Sequence, residues 1–450
     1  MPDWIVILPP IIAIVIALWR KEVVISLLAA LFLSEWLIAS FNPGLAFTRL
    51  LERVVAVFES PSNTSILLFS LMVGALIEYI KTSGGVSAMV ERLSQIGLTK
   101  TPRQVGLLTS ITGILIFIET NLSILTAGIL SRGLFDKFNM SRERLAYIVD
   151  STCAPVAVLI LFNGWGAYLL GLIGNYDIAN PVSVLAATVP LNFYALLTLA
   201  VVFYTVMTEK VYGPMKKIES YNTDVELDDT EAPTKARYML VPLGVMTGGI
   251  LFFLWFTGSG NIMQGSGATS VLWATALAIA SGYLLLRYDK VYTHKELVDL
   301  TFEGMSNLLP LVTIVLLSIA LGMSLRELGT GTYIASLIGS YLPKFLITPL
   351  IFLAAGAIAF TTGTSWGTFA LMVPIGIPLA LDLGISEPLM LSAIIGGGVF
   401  GDHCSPISDT TLMSSLAAGC EHLNHVRTQL PYALATGGIT FILYLLMGLI

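Results

Sequence analysis

The chain has 450 residues, 55% hydrophobic and 12% charged, with a mean hydropathy of +0.83. Soluble domains carry about 25% charged residues, so these charges are too few to cover a water-facing surface. The net charge of −6 comes mainly from one acidic loop, no basic patch with interleaved aromatics points to nucleic acid, and Cys153, Cys404 and Cys420 give neither a disulfide framework nor a metal spacing.

Apolar runs of roughly 17 to 25 residues recur along the chain, each long enough to cross ~30 Å of hydrocarbon. Strand-length alternating segments are absent, which argues against an outer-membrane barrel. The expected fold is an all-α polytopic membrane protein. The first run, Ile5 to Trp19, lacks a basic flank and a small-residue cleavage site and reads as a membrane helix, not a signal. Spans are expected at 4–19, 22–40, 63–81, 104–131 (interrupted), 145–175 (interrupted) and 183–207. A polar loop from Thr208 to Arg237 follows, carrying Asp224, Glu226, Asp228, Asp229 and Glu231. Further spans are expected at 239–257, 268–287, 303–325, 345–381 (interrupted), 387–419 (interrupted) and 430–449. The expected organisation is an N-terminal repeat over 1–207, with 1–40 as peripheral scaffold, a linker over 208–237, and a C-terminal repeat over 238–450.

The halves resemble each other. Asn63 and Asn307 open similar apolar stretches. Phe117-Ile118-Glu119-Thr120-Asn121 stands where the second half has Phe360-Thr361-Thr362-Gly363-Thr364, and Asp150-Ser151-Thr152-Cys153 stands where it has Asp402-His403-Cys404-Ser405. Each pair is separated by nearly the same interval. Cytoplasmic loops carry the excess of lysine and arginine. If 104–131 and 345–381 are re-entrant hairpins, only Arg49, Arg53, Arg326 and Lys344 fall opposite the basic face, 4 of the 23 lysines and arginines. The 208–237 loop is therefore expected in the cytoplasm, both termini outside the inner (plasma) membrane, and the repeats inverted.

In lipid every backbone polar group needs an internal partner, so unwound backbone at depth survives only beside a polar cavity. Four such places are expected: Glu119–Asn121; Asp150–Pro155, reaching on to Asn163–Gly166; Thr361–Thr368; and Gly396–Thr411. An ionised group at the bilayer centre costs at least ~2.5–3.5 kcal/mol. Asp150, Asp402, Asp409 and Glu119 lie within apolar spans and read as binders of a cation or proton, the first three as its direct metal ligands; helix capping at the breaks is the other reading. Asn121, Ser151, Thr152, Thr362, Thr364, Ser365, Thr368, Ser405, Ser408 and Thr410 supply further oxygens, as do Asn63, Ser123 and Asn163. Singly, each is more often an interhelical hydrogen bond; clustering at the breaks marks them. His403 beside Asp402 could sense pH or hydrogen-bond a carbonyl. His422 and His425 are expected at the cytoplasmic surface. Glu35 has no evident partner, and Glu78 has Lys81 one turn on.

No nucleotide-binding loop has the strand–helix setting it needs, and no hydrolase signature stands out. Primary pumping and enzymatic chemistry are therefore disfavoured, and no cofactor is expected beyond a transported Na⁺. Inverted repeats with broken helices are a mark of secondary transporters.

The stretch from Gly397 through Asp402-His403-Cys404-Ser405-Pro406 to Ser408-Asp409-Thr410-Thr411 resembles the hallmark of the NhaC-type Na⁺/H⁺ antiporter family, within the ion transporter superfamily. So do His422, His425 and Thr428-Gln429-Leu430-Pro431-Tyr432; Phe360 to Thr368; Tyr147 to Thr152; Asn192-Phe193-Tyr194; and Gly213-Pro214-Met215. Where that family often has Phe-Phe-Asp-Asp-Tyr, this chain has Phe117-Ile118-Glu119-Thr120-Asn121. The resemblance implies exchange of Na⁺ (or Li⁺) for H⁺, or of a small carboxylate such as malate for lactate with coupled ions. Relatives with altered motifs move amino acids. It also implies paired re-entrant hairpins, an elevator-like transport domain and a homodimer. The reading is a secondary antiporter in which cation and proton compete for the carboxylates; the alternative is a Na⁺- or H⁺-coupled carrier of a small carboxylate or amino acid.

Overall fold

The computed structural model describes residues 3–20, 22–85, 88, 100–117, 120–218, 234–334 and 342–449. Among them the architecture is all-α, with no strand. The helices are α1 (Leu8–Arg20), α2 (Val23–Ile38), α3 (Pro43–Ala56), α4 (Pro61–Thr82), α5 (Pro102–Leu115), α6 (Thr120–Lys137), α7 (Arg142–Leu159), α8 (Gly164–Ile173), α9 (Pro181–Thr188) and α10 (Phe193–Thr208). They continue with α11 (Pro214–Ile218), α12 (Arg237–Thr257), α13 (Gly267–Tyr288), α14 (His294–Asn307), α15 (Leu309–Leu328), α16 (Lys344–Thr362), α17 (Ser365–Leu383), α18 (Glu387–Cys404), α19 (Asp409–Ala418) and α20 (His422–Met447).

Seven helices among the described residues (α4, α12, α13, α15, α16, α17 and α20) are long and apolar enough to cross a membrane. Counting two bent pairs as single spans gives up to nine. One pair is α7 with α8, bent by 48°; the other is Pro181–Leu191 with α10, bent by 42°.

The interruptions expected in four spans are present and are shorter than expected, those at Gly363–Thr364 and Ser405–Ser408 falling inside the expected segments. Asp150 to Pro155 is helical, and α7 runs on to Leu159 before breaking. Gly396 to Cys404 is helical as well, and that break falls at Ser405–Ser408. A helix satisfies its own backbone, so both aspartates stand on regular helix while only short segments need outside partners. Capping chemistry sets each restart. Asn163 accepts from Trp165 and Gly166 N–H to open α8, Thr364 caps α17 and Ser408 caps α19. Gly363, at φ +68°, ends α16 in the left-handed conformation that glycine adopts without strain.

Two amphipathic helices, α3 and α14, were not among the expected spans, and α20 begins well before residue 430. The first of these supplies the partners that Glu35 lacked in the sequence. Glu35 is fully buried, 3.0 Å from Arg49 and 2.7 Å from Arg53; both arginines also reach Glu327 at the end of α15. Glu78 pairs with Lys81 at 3.7 Å.

The main core joins α2, α8, α15, α16, α17 and α18 around Tyr168, Phe352 and Phe369. Helices α16 and α18 meet backbone to backbone: a Cβ at Gly401 would stand 2.1 Å from the Gly356 carbonyl oxygen. A second cluster gathers α5, α6, α7, α10 and α20 around Phe135, Tyr147 and Val202.

Candidate functional site

Asp402 occupies the last turn of α18, with 1% of its surface exposed. Its Oδ2 accepts from the hydroxyl of Ser365, in the first turn of α17, at 3.0 Å, and from that of Thr410, in the first turn of α19, at 3.2 Å. The chain folds this way because the capping turns at Thr364 and Ser408 bring two helix N-termini against one C-terminus. Their partial positive charges favour an anion there. Ser408 contacts Thr410 at 3.1 Å and accepts from Thr411 N–H.

Asp150 lies on the third turn of α7 and is fully buried. Gln429 of α20 donates to its Oδ2 at 2.6 Å and to the His403 carbonyl at 3.0 Å. The Thr411 hydroxyl lies 3.4 Å from Asp150 Oδ2 and 3.3 Å from the Asp402 carbonyl, linking the two aspartate centres. His425 Nε2 is 3.4 Å from the same carboxylate oxygen. Ser151 reaches the Gln429 carbonyl at 3.5 Å. The Oδ1 of Asp150, the Oδ1 of Asp402 and the Thr152 hydroxyl are buried without a hydrogen-bond partner among the described residues. Two adjacent carboxylates thus have neutral donors on one oxygen and none on the other.

His403 is buried, with Nδ1 3.0 Å from the Tyr194 hydroxyl. Asp409 is exposed, and its Oδ1 accepts from Thr410 N–H at 2.9 Å. No group of three or more His, Cys, Asp or Glu among the described residues is set to hold a metal ion. Thr362, Thr364 and Thr368 spend their hydroxyls on helix backbone. Ser405 donates to the Phe360 carbonyl at 2.6 Å. Asn63 is buried in the first turn of α4, and Ser123 donates to the Gly113 carbonyl. Asn121 stands half-buried in the first turn of α6. Glu119 lies outside the described residues.

The first-half break is tied to this region. Asn163 donates to the Phe117 carbonyl at 3.0 Å, as Ser405 does to that of Phe360, and Trp165 donates to Thr120 at 3.0 Å. Trp165 and Trp366 lie with ring centroids 4.8 Å apart, and the Tyr168 hydroxyl donates to the Trp366 carbonyl.

His425, Gln429 and Tyr194 are the residues that sequence reasoning did not place here. His425 and Gln429 stand four apart on α20 and share its buried face with Thr428 and Tyr432. The spacing is present in the sequence, but a span starting at residue 430 leaves both outside it and His425 at the surface. His422 is half-buried, between Ser415 and the Pro406 carbonyl.

Comparison with known proteins agrees with this architecture. The model of the Na⁺/H⁺ antiporter family matches residues 156–449. An uncharacterised protein of Haemophilus influenzae is 32% identical over 98% of this chain and 90% of its own length. The malate-2H⁺/Na⁺-lactate antiporter of Bacillus subtilis is 34% identical over 37% of this chain and 35% of its own. The YdaH transporter of Alcanivorax borkumensis superposes with a TM-score of 0.61 at 14% identity, covering 89% of this chain and 88% of that one. At that identity the likeness speaks for the fold alone.

Proposed function

Since this chain belongs to the Na⁺/H⁺ antiporter family and is thus a multi-pass secondary transporter, we propose that it exchanges Na⁺ (or Li⁺) for H⁺ at the paired centres of Asp150 and Asp402. The observation that carries this reading is the two buried carboxylates, each with one oxygen free of a hydrogen-bond partner among the described residues, with Thr411 between the Asp150 carboxylate and the Asp402 backbone carbonyl. An isolated buried carboxylate is costly when ionised, so it takes up a proton or a cation. Hard cations take oxygen ligands, and the hydroxyls of Ser365, Thr410 and Thr411 adjoin these carboxylates.

Competition alone couples the flows. If the loaded forms cross and the empty, charged form does not, each cycle exchanges one ligand for the other. Asp409, exposed beside Thr410, is proposed as an outlying acceptor, and Glu119 as a further one at the first hairpin. His403 is proposed to tune the response to pH. Inverted repeats over 1–207 and 238–450, an elevator-like motion and a homodimer complete the proposal, with the 208–237 loop cytoplasmic. The matched pairs Asn163–Phe117 and Ser405–Phe360 support the repeat.

The test is internal pH in proteoliposomes after external Na⁺ is added, with K⁺ and choline as controls. Na⁺-specific alkalinisation is expected. Silence across a range of pH would overturn the reading in favour of coupled exchange of a small carboxylate or amino acid. The stretch similar to the malate/lactate antiporter favours that second reading, and its signature is saturable uptake of a labelled organic solute driven by an ion gradient.

A further inference from the structure

A groove of about 290 Å³ runs between α10 and α20, at the end of the bundle that carries the 208–237 loop. Its walls include Val201, Tyr204, Tyr212, Tyr432, Ala435 and Ile439. One end is polar. The Tyr204 and Tyr212 hydroxyls are 3.0 Å apart, and the Tyr432 hydroxyl accepts from Tyr212 N–H at 2.6 Å. The other end is apolar and follows one face of α20, since 432, 435 and 439 recur at helical spacing. Ile439, in its apolar wall, is exposed.

Just past the polar end the chain turns at Lys210 and Gly213 into α11, which carries Lys216 and Lys217. All three lysines are exposed, and none makes an ion pair among the described residues. Nearby Arg103, in contrast, is 3.8 Å from Glu209. We propose that this groove binds one anionic phospholipid, its acyl chain along α20 and its phosphate among Lys210, Lys216 and Lys217. The order of features matches such a molecule: cations at the surface, a step of hydroxyls at headgroup depth, then an apolar trough. Anionic lipids are drawn to basic positions at the cytoplasmic surface of membrane proteins. A second copy of this chain is a poorer occupant, because it would bring the same three cations to the same place.

The groove also forms the back wall of the aspartate site. Tyr432 packs on Tyr147 with ring centroids 4.6 Å apart. Tyr147 is one turn from Asp150 on α7, and Tyr432 is one turn from Gln429 on α20. A chain lying on Tyr432 would steady the pair that holds Asp150.

Native mass spectrometry of the delipidated protein, titrated with phosphatidylglycerol or phosphatidylcholine of identical chains, tests this without reference to transport. One phosphatidylglycerol per protomer is expected to bind at least ~10-fold more tightly than phosphatidylcholine. Lys210→Gln, Lys216→Gln and Lys217→Gln together should erase that preference. Ala435→Trp should abolish tight binding of either lipid, and because Ala435 is exposed its melting curve should match the wild type. Equal affinity for the two lipids, or tight phosphatidylglycerol binding by Ala435→Trp, would overturn the proposal. So would displacement of bound lipid by excess glycerol phosphate, since that would place the binding on the lysines alone.

Discussion

Glu35 and Asp150 are both fully buried carboxylates on apolar helices, and they differ in the charge of what surrounds them. Each oxygen of Glu35 faces a guanidinium, and Glu327 shares the same two arginines, so two anions meet two cations. Asp150 meets an amide, a hydroxyl and an imidazole, with its second oxygen unpartnered among the described residues. Arginine does not give up its proton in a protein, so the positive charge that faces Glu35 is permanent. Gln429 and Thr411 orient Asp150 without neutralising it, and in the proposed exchange the balancing charge is a proton or a mobile cation. Burial alone therefore does not separate a structural carboxylate from the one proposed to exchange; the permanence of the partner's charge does.

The largest expected effect breaks this comparison if it fails. Asp150→Asn and Asp402→Asn should each lower Na⁺-driven proton exchange in proteoliposomes by at least ~100-fold, the loss of an interaction of about 3 kcal/mol. Both should still extract and elute as folded protein. Glu35→Gln should keep exchange near the wild-type rate. Full exchange by Asp150→Asn would remove it from the mechanism, and loss of exchange by a thermally unaltered Glu35→Gln would erase the distinction between the two sites.

Stability should run the other way. Removing one partner from a buried ion pair costs ~3–5 kcal/mol. Glu35→Gln should approach the low end of that range, because Arg49 and Arg53 keep 30% and 16% side-chain exposure. The measurement is the thermal midpoint in detergent, where Asp150→Asn should shift far less. A wild-type midpoint for Glu35→Gln would mean that the four-charge cluster is incidental.

Much of this contrast could be read from the chain, and the parts that could not have identifiable causes. Apolar runs of membrane length set the spans, and the motif from Gly397 to Thr411 itself groups Asp402, Ser408 and Thr410. Glu35 looked unpartnered because α3 is amphipathic and short of the length expected of a membrane span, so Arg49 and Arg53 read as loop charges. His425 reads as a surface residue for a related reason: the polar first two turns of α20 lack the apolar signal that identifies a span, yet they bury against α7 and α19. The breaks are narrower than the motifs suggest because glycines and hydroxyls tolerate regular helix. Gly396 to Gly401 serve close helix packing, not unwinding.

A smaller effect grades the donors around Asp150. A hydrogen bond to a charged group contributes ~1.5–3 kcal/mol, so Gln429→Leu should raise the Na⁺ concentration for half-maximal exchange about tenfold. The Thr411 contact is longer, at 3.4 Å against 2.6 Å, and Thr411→Val should raise it only a few-fold. The reverse ranking would mean that Thr411, through its contact with the Asp402 carbonyl, matters more than the amide.

The smallest effect concerns a third carboxylate, which follows the Glu35 pattern in water. Asp289, just after α13, accepts from Tyr238 at 2.6 Å, from Arg237 and from Lys235 at 3.1 Å. The Tyr238 hydroxyl and the Arg237 guanidinium hold its carboxyl down to about 2. A carboxylate whose folded value lies below its unfolded value of ~3.9 stabilises fully above that pH and loses the contribution as pH falls towards 2. Wild type should therefore exceed Asp289→Asn in thermal midpoint at pH 6 by a margin that closes by pH 2. Because this cluster meets solvent, added salt should also narrow the margin, the screening length being about 10 Å at 0.1 M and ~3 Å at 1 M. The margin between wild type and Glu35→Gln, whose carboxylate has no exposed surface, should change much less with salt. Equal salt sensitivity for the two would mean that Glu35 is reached by water and ions, and its contrast with Asp150 would then rest on geometry and not on a sealed ion pair.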